Sequence, residues 1–436
     1  MLADKTTLND LSIFHHEEEL SVFHHLNFTR TLSGKDWLRQ MLSRPMGDIR
    51  LISGVQTIIK DLLPFVHSWP ETITNGTMMV IEKFYETPVA DMHVSNKANV
   101  FFYKVFYSAD FALGRFSVQH FVSFVKGMQE VVDLLKDSNS NQLQVWKDRI
   151  TMLLNKPVLQ EMLQHDRSTK LSSAEILRFG AFLRRSFKSE VFELIDIYSR
   201  IDAYYSMAVA HEKYKLVFPE VVDSAEPFIE AKELFHPLLP TPVSYNVEMS
   251  KQTNFLFLTG ANMAGKSTYI KAVGVAVYLS HVGMGVPAGS MQLSLFNGLL
   301  SNIQVIDNII KGESYFFNEV QRIRSTIERI SDGKKWLILI DELFKGTNVQ
   351  DAMKCSTTVI EGLRKMNNAL FILSTHLYEI GESLKQYPNI QFRYFETSVA
   401  DDQLVFSYQL KEGISNDRLG YLILKKEGVV DLLQKL

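Results

Sequence analysis

The feature that most constrains this chain is the stretch at 254–271, in which an apolar run leads into a glycine-bounded turn and then into a helical pattern. The turn, GANMAGKS at 260–267, fits the phosphate-binding pattern G-x-x-x-x-G-K-[ST]. Gly260 and Gly265 allow backbone conformations that a side chain would forbid, so successive N–H groups can turn inward on a phosphate. The following helix would point its positive end at that phosphate. These residues predict a nucleotide-binding loop; the alternative is a glycine turn that merely joins a strand to a helix.

The two residues that end this turn carry its expected chemistry. Lys266 would reach the outer phosphates of a nucleotide, and the hydroxyl of Ser267 would hold Mg²⁺. No N-K-x-D motif of the GTP-binding type follows the loop, so adenine is the expected base. The sequence therefore predicts ATP as the nucleotide and Mg²⁺ as the cofactor.

A second nucleotide element begins with the fully apolar run at 336–340, which ends in Asp341 and Glu342. Two carboxylates at the end of a strand beside a phosphate-binding loop can serve the metal ion and the attacking water. Asp341 would hold Mg²⁺ through water, and Glu342 would orient and deprotonate an attacking water. The pair favours hydrolysis over phosphate transfer to another substrate. The alternative is two acidic residues that begin a helix.

A third element is the polar triplet Ser374-Thr375-His376, which follows an apolar run at 370–374. Ligands in doubly wound sheets bind at the carboxyl ends of the parallel strands. His376 could therefore hydrogen-bond the terminal phosphate, although a lone histidine is more often structural. Together with the other two elements it becomes a candidate catalytic residue.

Composition bounds the class of protein. The 436-residue chain is long enough for two or three domains. Its formal net charge of -3 gives no overall attraction to nucleic acid, so a DNA contact would need a local basic patch. A single cysteine, Cys355, excludes an intramolecular disulfide and a thiolate metal cluster. The amino-terminal residues lack the apolar core of a signal peptide, and the most apolar window, 273–288, reads as a buried helix. We therefore expect a cytoplasmic protein without a membrane partner.

The pattern along the chain changes once. Apolar residues three and four apart run from about 11 to 221 and predict a helical assembly. Short, proline-spaced pieces at 218–242 mark a junction. Beyond it, strand-like runs alternate with helices, which indicates an α/β domain with a largely parallel sheet. The predicted domains are 1–220, all helical, and 221–436, an α/β nucleotide-binding domain.

Here a family resemblance becomes specific. The segment TGANMAGKSTYIKAVGVAVYLSHVGMGVPA at 259–288 closely resembles the phosphate-loop region of the MutS family of DNA mismatch-repair ATPases. Other ATPase landmarks of the family follow in order: FHP at 235–237, DNIIKGESYFFNE at 307–319, DELFKGTN at 341–348 and STH at 374–376. Upstream, residues 20–58 are similar to the helical core of the family, and the positions that fit its pattern are Thr29, Thr31, Gly34, Lys35 and Pro45.

The resemblance implies a helical core and lever domain followed by a P-loop NTPase domain of the ABC type, in a homodimer whose ATP sites are completed in trans. Asp341 matches the family's Mg²⁺ carboxylate, Glu342 its catalytic base and His376 its switch histidine. Lys345 occupies a position that is usually arginine. The family's phosphate loop matches Gly260, Ala261, Asn262, Met263, Ala264, Gly265, Lys266, Ser267 and Thr268, its trans signature matches Gly312 and Ser314, and its base-side asparagine falls near Asn246.

Other parts of the family pattern are missing from this sequence. We find no amino-terminal mismatch-reading domain with its Phe-x-Glu wedge, no clear DNA clamp between the lever helices, and no appended nuclease domain. Mismatch recognition is therefore not carried over. The expected substrate is double-stranded or branched DNA read by shape.

Two charged clusters are candidate contact sites in the helical half. Basic residues interleaved with aromatic ones could grip DNA phosphates, although a solvated face is the more common reason for such a cluster. A group of histidines could bind a metal, although a partly exposed helix is the preferred interpretation. The basic cluster is Arg178, Arg184, Arg185 and Lys188, and the histidines are His15, His16, His24 and His25.

The sequence thus predicts an Mg²⁺-dependent, DNA-binding ATPase of the MutS type. Two alternatives come from other classes. One is a transporter-associated ATPase, against which the missing L-S-G-G-Q run argues. The other is a nucleotide-gated scaffold that binds a protein partner and scarcely hydrolyses ATP.

Overall fold

The computed structural model describes residues 1–92, 96–165, 170–303, 315–400, 403–415 and 429–434. The chain divides into two compact units. One comprises Met1–His25, Leu42–Ser53 and Lys213–Leu436, and the other comprises Leu26–Met41 and Gly54–Glu212. The predicted domain boundary between residues 220 and 221 stays a prediction.

The chain is about half helical, as expected, and the described helices fill most of the range from 11 to 221. Short 3-10 helices lie at Glu18–Leu20 and Leu63–Phe65. In chain order the α-helices are α1 (Lys5–Asp10), α2 (Val22–Leu26), α3 (Leu32–Leu42), α4 (Ile49–Leu62), α5 (Asn75–Glu86), α6 (Lys97–Phe106), α7 (Ser108–Leu134), α8 (Asn141–Leu154), α9 (Pro157–Gln164), α10 (Ser173–Ser186), α11 (Lys188–Lys213), α12 (Lys266–Val282), α13 (Tyr315–Ile330), α14 (Val349–Leu363), α15 (Glu379–Leu384) and α16 (Val429–Gln434).

Helix α7 is the centre of the helical unit. Its buried residues, such as Phe111, Val118 and Phe121, recur at the spacing of one helical face. This face packs against α5, α8, α9 and α10. Helix α10 begins with a capping box, in which the Ser172 hydroxyl accepts from the N–H of Glu175 and the Glu175 carboxylate accepts from the N–H of Ser172. None of the helices in the described ranges combines the length and the apolar character needed to cross a membrane.

A buried carboxylate fixes the start of α3 within the helical unit. Asp202 on α11 is fully buried and accepts the N–H of Arg30 at 2.8 Å and that of Thr31 at 2.9 Å. The Thr31 hydroxyl donates a further bond to it at 2.6 Å. A Cβ at Gly34 would collide with the same carboxylate, which explains a glycine there. Burial raises the pKa of Asp202 to about 6, against these hydrogen bonds, which lower it.

The other unit contains two sheets. The seven-stranded sheet has the order β1-β7-β8-β9-β5-β10-β11 and is parallel except for the β10–β11 pair. The four-stranded sheet, β2-β6-β3-β4, is mixed. The strands are β1 (Leu2–Ala3), β2 (Glu220–Val222), β3 (Ile229–Leu234), β4 (Tyr245–Met249), β5 (Phe255–Thr259), β6 (Ser290–Ser294), β7 (Gly298–Asn302), β8 (Trp336–Asp341), β9 (Ala369–Ser374), β10 (Ile390–Ala400) and β11 (Gln403–Glu412).

The central strands follow from their composition. Strands β5 and β9 are buried at every residue, and β8 is buried up to Ile340, which is typical of a parallel sheet covered on both faces. The predicted strand runs at 255–258, 336–340 and 370–374 coincide with these three strands. The sequence did not indicate the short strand β1, which pairs with β7 at the opposite edge from β11.

Helix α12 is buried along nearly its whole length. It contains His281, and both ring nitrogens of this histidine form hydrogen bonds. Nδ1 of His281 donates to the carbonyl of Val277 at 2.9 Å, and Nε2 accepts the N–H of Phe296 at 3.0 Å. Because Nε2 must stay an acceptor, a second ring proton would break the contact with Phe296. Burial lowers the pKa of His281 to about 4.

We expect this histidine to make the fold sensitive to acid. The unfolded chain binds a proton at an ordinary pKa near 6.5, whereas the native ring resists one until about pH 4. Its contribution to stability is therefore complete above pH 6.5 and is lost as the pH falls towards 4, by up to about 3 kcal/mol. In His281→Leu the slope of unfolding free energy against pH in this window should decrease by about 1.4 kcal/mol per pH unit. Urea unfolding between pH 4.5 and 7 measures this slope, and the exposed His67→Gln is the control.

Candidate functional site

The loop at 260–267 connects β5 to α12, as predicted, and both of its glycines have backbone angles that favour glycine. Gly260 has φ of 139° and Gly265 has φ of 110°. A Cβ on Gly260 would in addition lie 3.2 Å from the Cβ and the carbonyl oxygen of Phe395. Both glycines are therefore needed for the conformation of this loop. An ordinary turn between a strand and a helix would not need two of them, so the geometry favours the phosphate-binding interpretation.

The lysine of the loop contacts the loop itself. Nζ of Lys266 donates to the carbonyl of Gly260 at 2.8 Å and to that of Ala261 at 3.0 Å. Burial lowers the pKa of this ammonium, while the negative charges of Glu342 and Asp341 raise it. Its cation is thus held inside the concave face of the loop, where the predicted phosphates would bind.

The predicted magnesium residues meet at the carboxyl ends of β8 and β9. The Ser267 hydroxyl donates to Oδ2 of Asp341 at 2.5 Å. The hydroxyl of Ser374 donates to Oδ1 of the same carboxylate. A hydroxyl and a carboxylate that converge in this way supply the oxygen ligands that Mg²⁺ prefers, with positions left for phosphate oxygens and water. The residues present therefore fit the predicted ion.

Glu342 and His376, the predicted catalytic pair, are in direct contact. Nε2 of His376 lies 2.7 Å from Oε1 of Glu342, and Nζ of Lys345 lies 3.1 Å from Oε2. Burial alone would raise the pKa of Glu342, but the hydrogen bond and charge of His376 and the charge of Lys345 outweigh it and hold the pKa at about 2. The backbone of Glu342 has φ of 66°, a left-handed conformation that is strained for a non-glycine residue. The carboxylate is therefore ionised and held between the His376 ring and the Lys345 ammonium.

A cavity of about 440 Å³ opens above the loop. Its floor is made by loop residues from Ala261 to Thr268, and Glu342 lies at one side. Its outer wall is more apolar and includes Leu239, Val243, Tyr245 and Tyr408. A polar floor and an apolar, aromatic wall suit a ligand with phosphates at one end and a ring at the other.

Sequence reasoning missed Tyr408. This residue lies on β11, where the register with β10 shifts, and its φ of 52° marks the irregularity. Its ring comes within 3.5 Å of the position that a Cβ on Gly265 would take. No local sequence signal points to it, because a strand residue reaches the cavity only through the pairing of β11 at the edge of the sheet.

Asn246, predicted near the base of the nucleotide, lies on the other face of β4 from Tyr245. Neighbouring strand residues point to opposite faces, so only one of the two can line the cavity. The Asn246 side chain accepts the N–H of Glu233 at 3.1 Å and lines a different cleft. The structure therefore does not bring Asn246 together with the loop. The predicted trans residues Gly312 and Ser314 lie outside the described residues.

The basic cluster of the helical unit is engaged in internal contacts. Arg178 pairs with Glu161, and Arg185 pairs with Asp91. Arg184 donates to backbone carbonyls, including that of Thr87 at 2.6 Å. These cations tie neighbouring segments together, which favours a structural role over a DNA grip.

The histidine group gives no metal centre. His15 and His16 contact each other, with ring centroids 4.1 Å apart, and His25 stacks on Tyr214 at 4.1 Å. Across the ranges that the structure describes, no three His, Cys, Asp or Glu side chains are grouped to hold a metal ion.

Comparison with known proteins agrees with the resemblance seen in the motifs. Residues 256–432 match the family model of MutS domain V. MutS protein homolog 4 from Homo sapiens is 29% identical over 239 residues, which cover 52% of this chain and 25% of that protein. DNA mismatch repair protein MutS from Geobacillus sp. (strain WCH70) is 29% identical over 231 residues, or 51% of this chain and 26% of that protein. The protein of the same name from Streptococcus agalactiae serotype Ia is 27% identical over 271 residues, which cover 59% of this chain and 31% of that protein.

These matches lie within one part of larger proteins, since the chain spans about a quarter to a third of the length of these relatives. The family model lies over the α/β part, and it includes the loop, both carboxylates and His376. This carboxyl-terminal match identifies a MutS domain V in residues 256–432 of the chain.

Proposed function

We propose that this chain binds ATP with Mg²⁺, hydrolyses it, and couples hydrolysis to DNA as a MutS-type ATPase. The observation that carries the proposal is the meeting of three separate sequence elements at one edge of the parallel sheet. The loop after β5 and Glu342 line one cavity, Asp341 accepts a hydrogen bond from Ser267 of that loop, and His376 contacts Glu342. This is where α/β sheets bind their ligands.

The proposed mechanism assigns each residue a task. The backbone N–H groups of the loop and Lys266 bind the phosphates, and the lysine exchanges its two loop carbonyls for phosphate oxygens. Ser267 and Asp341 would hold Mg²⁺, which neutralises phosphate charge when it is bound. Glu342 orients the attacking water and accepts its proton.

The two side chains that contact Glu342 would make hydrolysis depend on the bound nucleotide. While His376 and Lys345 both contact the carboxylate, it is a weak base, because its charge is already stabilised. A terminal phosphate offers these two side chains a competing anion at the same edge of the sheet. When the third phosphate is bound, His376 and Lys345 would contact it and free the Glu342 carboxylate to act on the attacking water.

Tyr408 and the apolar wall are proposed to bind the adenine ring. We expect Tyr408→Ala to raise the dissociation constant for ATP about tenfold, because a base stacked on an aromatic ring gains about 1 to 3 kcal/mol. Tyr408→Phe keeps the ring and should bind ATP as wild type does. Titration with a fluorescent ATP analogue measures both constants, and equal affinity of the alanine variant would remove Tyr408 from the site.

The quaternary and DNA parts of the proposal come from the family. In a homodimer, Gly312 and Ser314 of one subunit would complete the ATP site of the other. Double-stranded or branched DNA is the proposed substrate, and a cytoplasmic location stays a prediction of the sequence. These parts depend on the resemblance and on the relatives' names, which describe DNA mismatch repair proteins.

The test is steady-state ATP hydrolysis by the purified chain, alone and with duplex, mismatched, branched and single-stranded DNA at one stated salt concentration. We expect Mg²⁺-dependent hydrolysis that one double-stranded or branched form changes, and that Lys266→Ala abolishes. Hydrolysis that no DNA form changes would contradict the DNA part alone. Absence of hydrolysis in every condition would contradict the ATPase.

One observation favours a second candidate, a nucleotide-gated scaffold with little hydrolysis. The contacts of Glu342 with His376 and Lys345 are those of a site that binds nucleotide and keeps its carboxylate weakly basic. In such a scaffold the helical unit would bind a protein partner. Substitution of Glu342 separates the two candidates.

A further inference from the structure

A buried carboxylate outside the cavity contacts the turn that follows Glu342. Glu319 on α13 has a side chain that is only 5% exposed. Its two oxygens accept the N–H of Lys345 at 3.3 Å and the N–H of Gly346 at 3.4 Å, and the N–H of Phe344 also donates to it. Three successive backbone donors thus wrap around one carboxylate, in the manner of an anion-binding nest.

The turn that Glu319 holds is conformationally strained. Both Glu342 and Phe344 have positive φ, at 66° and 59°, although neither is glycine. Such conformations persist only where the surroundings enforce them. Helix α13 supplies a second contact, since the ring of Phe316 packs against that of Phe344 with centroids 5.6 Å apart. The described part of α13 therefore holds the turn at two points.

We propose that Glu319 is a positioning residue for ATP hydrolysis, which fixes the turn from Glu342 to Gly346 so that Glu342 and Lys345 face the nucleotide. This inference rests on the proposed function of Glu342 as the base. The inference extends that function, because the rate of hydrolysis would depend on the position of α13. Among the described residues that line the cavity, none belongs to α13, so a shift of this helix should lower the rate far more than it changes nucleotide affinity.

A purely structural carboxylate would behave differently. Loss of a structural contact lowers the fraction of folded protein, and the remaining folded molecules turn over at the normal rate. Loss of a positioning contact lowers the rate of each nucleotide-bound site, because a displacement of about 1 Å at a reacting group can cost about 100-fold. The decisive quantity is therefore kcat per nucleotide-binding site, together with the dissociation constant for ATP.

The experiment compares Glu319→Gln and Glu319→Leu with wild type. Glutamine keeps one acceptor oxygen for the nest, and leucine keeps none, so we expect kcat to fall by about tenfold and about 100-fold, respectively. The dissociation constant for ATP should stay within about threefold of wild type in both. Amide hydrogen exchange at 344–346 should become faster in the same order. Glu328→Gln, on the exposed side of α13 beside Arg324, is the matched control and should change none of these.

The outcomes separate this inference from the proposed function. If wild type hydrolyses ATP and Glu342→Gln stops it, while both Glu319 variants keep the wild-type kcat, the inference is wrong and the ATPase stands. If wild type binds ATP without hydrolysing it, the ATPase is wrong and the inference falls with it. If Glu319→Leu does not fold, Glu319→Gln decides: a lower kcat at unchanged affinity supports positioning, and an unchanged kcat overturns it.

Discussion

Replacing Glu342 with glutamine is expected to lower the rate of ATP hydrolysis by at least about 100-fold while ATP still binds. A positioned general base contributes about 10²- to 10⁴-fold, and an amide can orient a water molecule but cannot accept its proton. Binding should survive because the phosphates are held by the loop and by Lys266. Removing the negative charge between His376 and Lys345 should even favour nucleotide binding, since both side chains become available to the phosphates.

Single-turnover phosphate release and an independent titration with an ATP analogue measure these two quantities. Glu382→Gln, on the exposed surface beside Lys385, removes the same charge from the same unit and should leave both unchanged. A Glu342→Gln protein that hydrolyses ATP as fast as wild type would exclude Glu342 as the base. Slow hydrolysis at the same rate in both proteins is the result expected of a nucleotide-gated scaffold.

Replacing Asp202 with alanine is expected to destabilise the helical unit by about 3 to 5 kcal/mol, the cost of removing one partner from a buried polar network. The N–H groups of Arg30 and Thr31 and the Thr31 hydroxyl would all lose their acceptor, and the two bonds from Thr31 are buried. Alanine would also create a cavity beside Gly34, where the carboxylate now packs.

Urea unfolding followed by tryptophan fluorescence tests this expectation, because Trp69 stacks on Tyr205, less than one turn from Asp202 on α11. The matched control is Asp196→Ala on the same helix. Asp196 is half exposed and pairs with Arg200 one turn later in the same helix, a contact that contributes little. Equal unfolding midpoints for the two variants would show that the buried network is not a source of stability.

Local patterns were sufficient to predict which segments meet at the candidate site. The loop, the strand that ends in Asp341 and the strand that ends in Ser374 each consist of consecutive residues, and parallel strands bring their carboxyl ends to one edge. Glu342 and His376 come into contact because β8 pairs with β9. This pairing is compatible with the sequence of each strand, but neither sequence specifies it alone.

The remaining features depend on long-range pairing that a single sequence does not reveal. Asn246 and Tyr245 are adjacent, and the face of β4 that reaches the cavity is set by the neighbouring strands. Tyr408 enters through an irregular pairing at the sheet edge. The arginine cluster looked available for DNA because its acceptors, such as Asp91 and Thr87, lie about a hundred residues earlier in the chain.

The burial of α12 restricts how this protein can respond to its ligand. The helix is enclosed along nearly its whole length, so it cannot tilt or slide without breaking the packing of the sheet unit. The loop that it carries is therefore a fixed reference point, and any ligand-driven motion must arise around the rim of the cavity. The edge strand that carries Tyr408 lies at this rim, so spectroscopic labels for such motion belong there, and α12 provides the stationary reference.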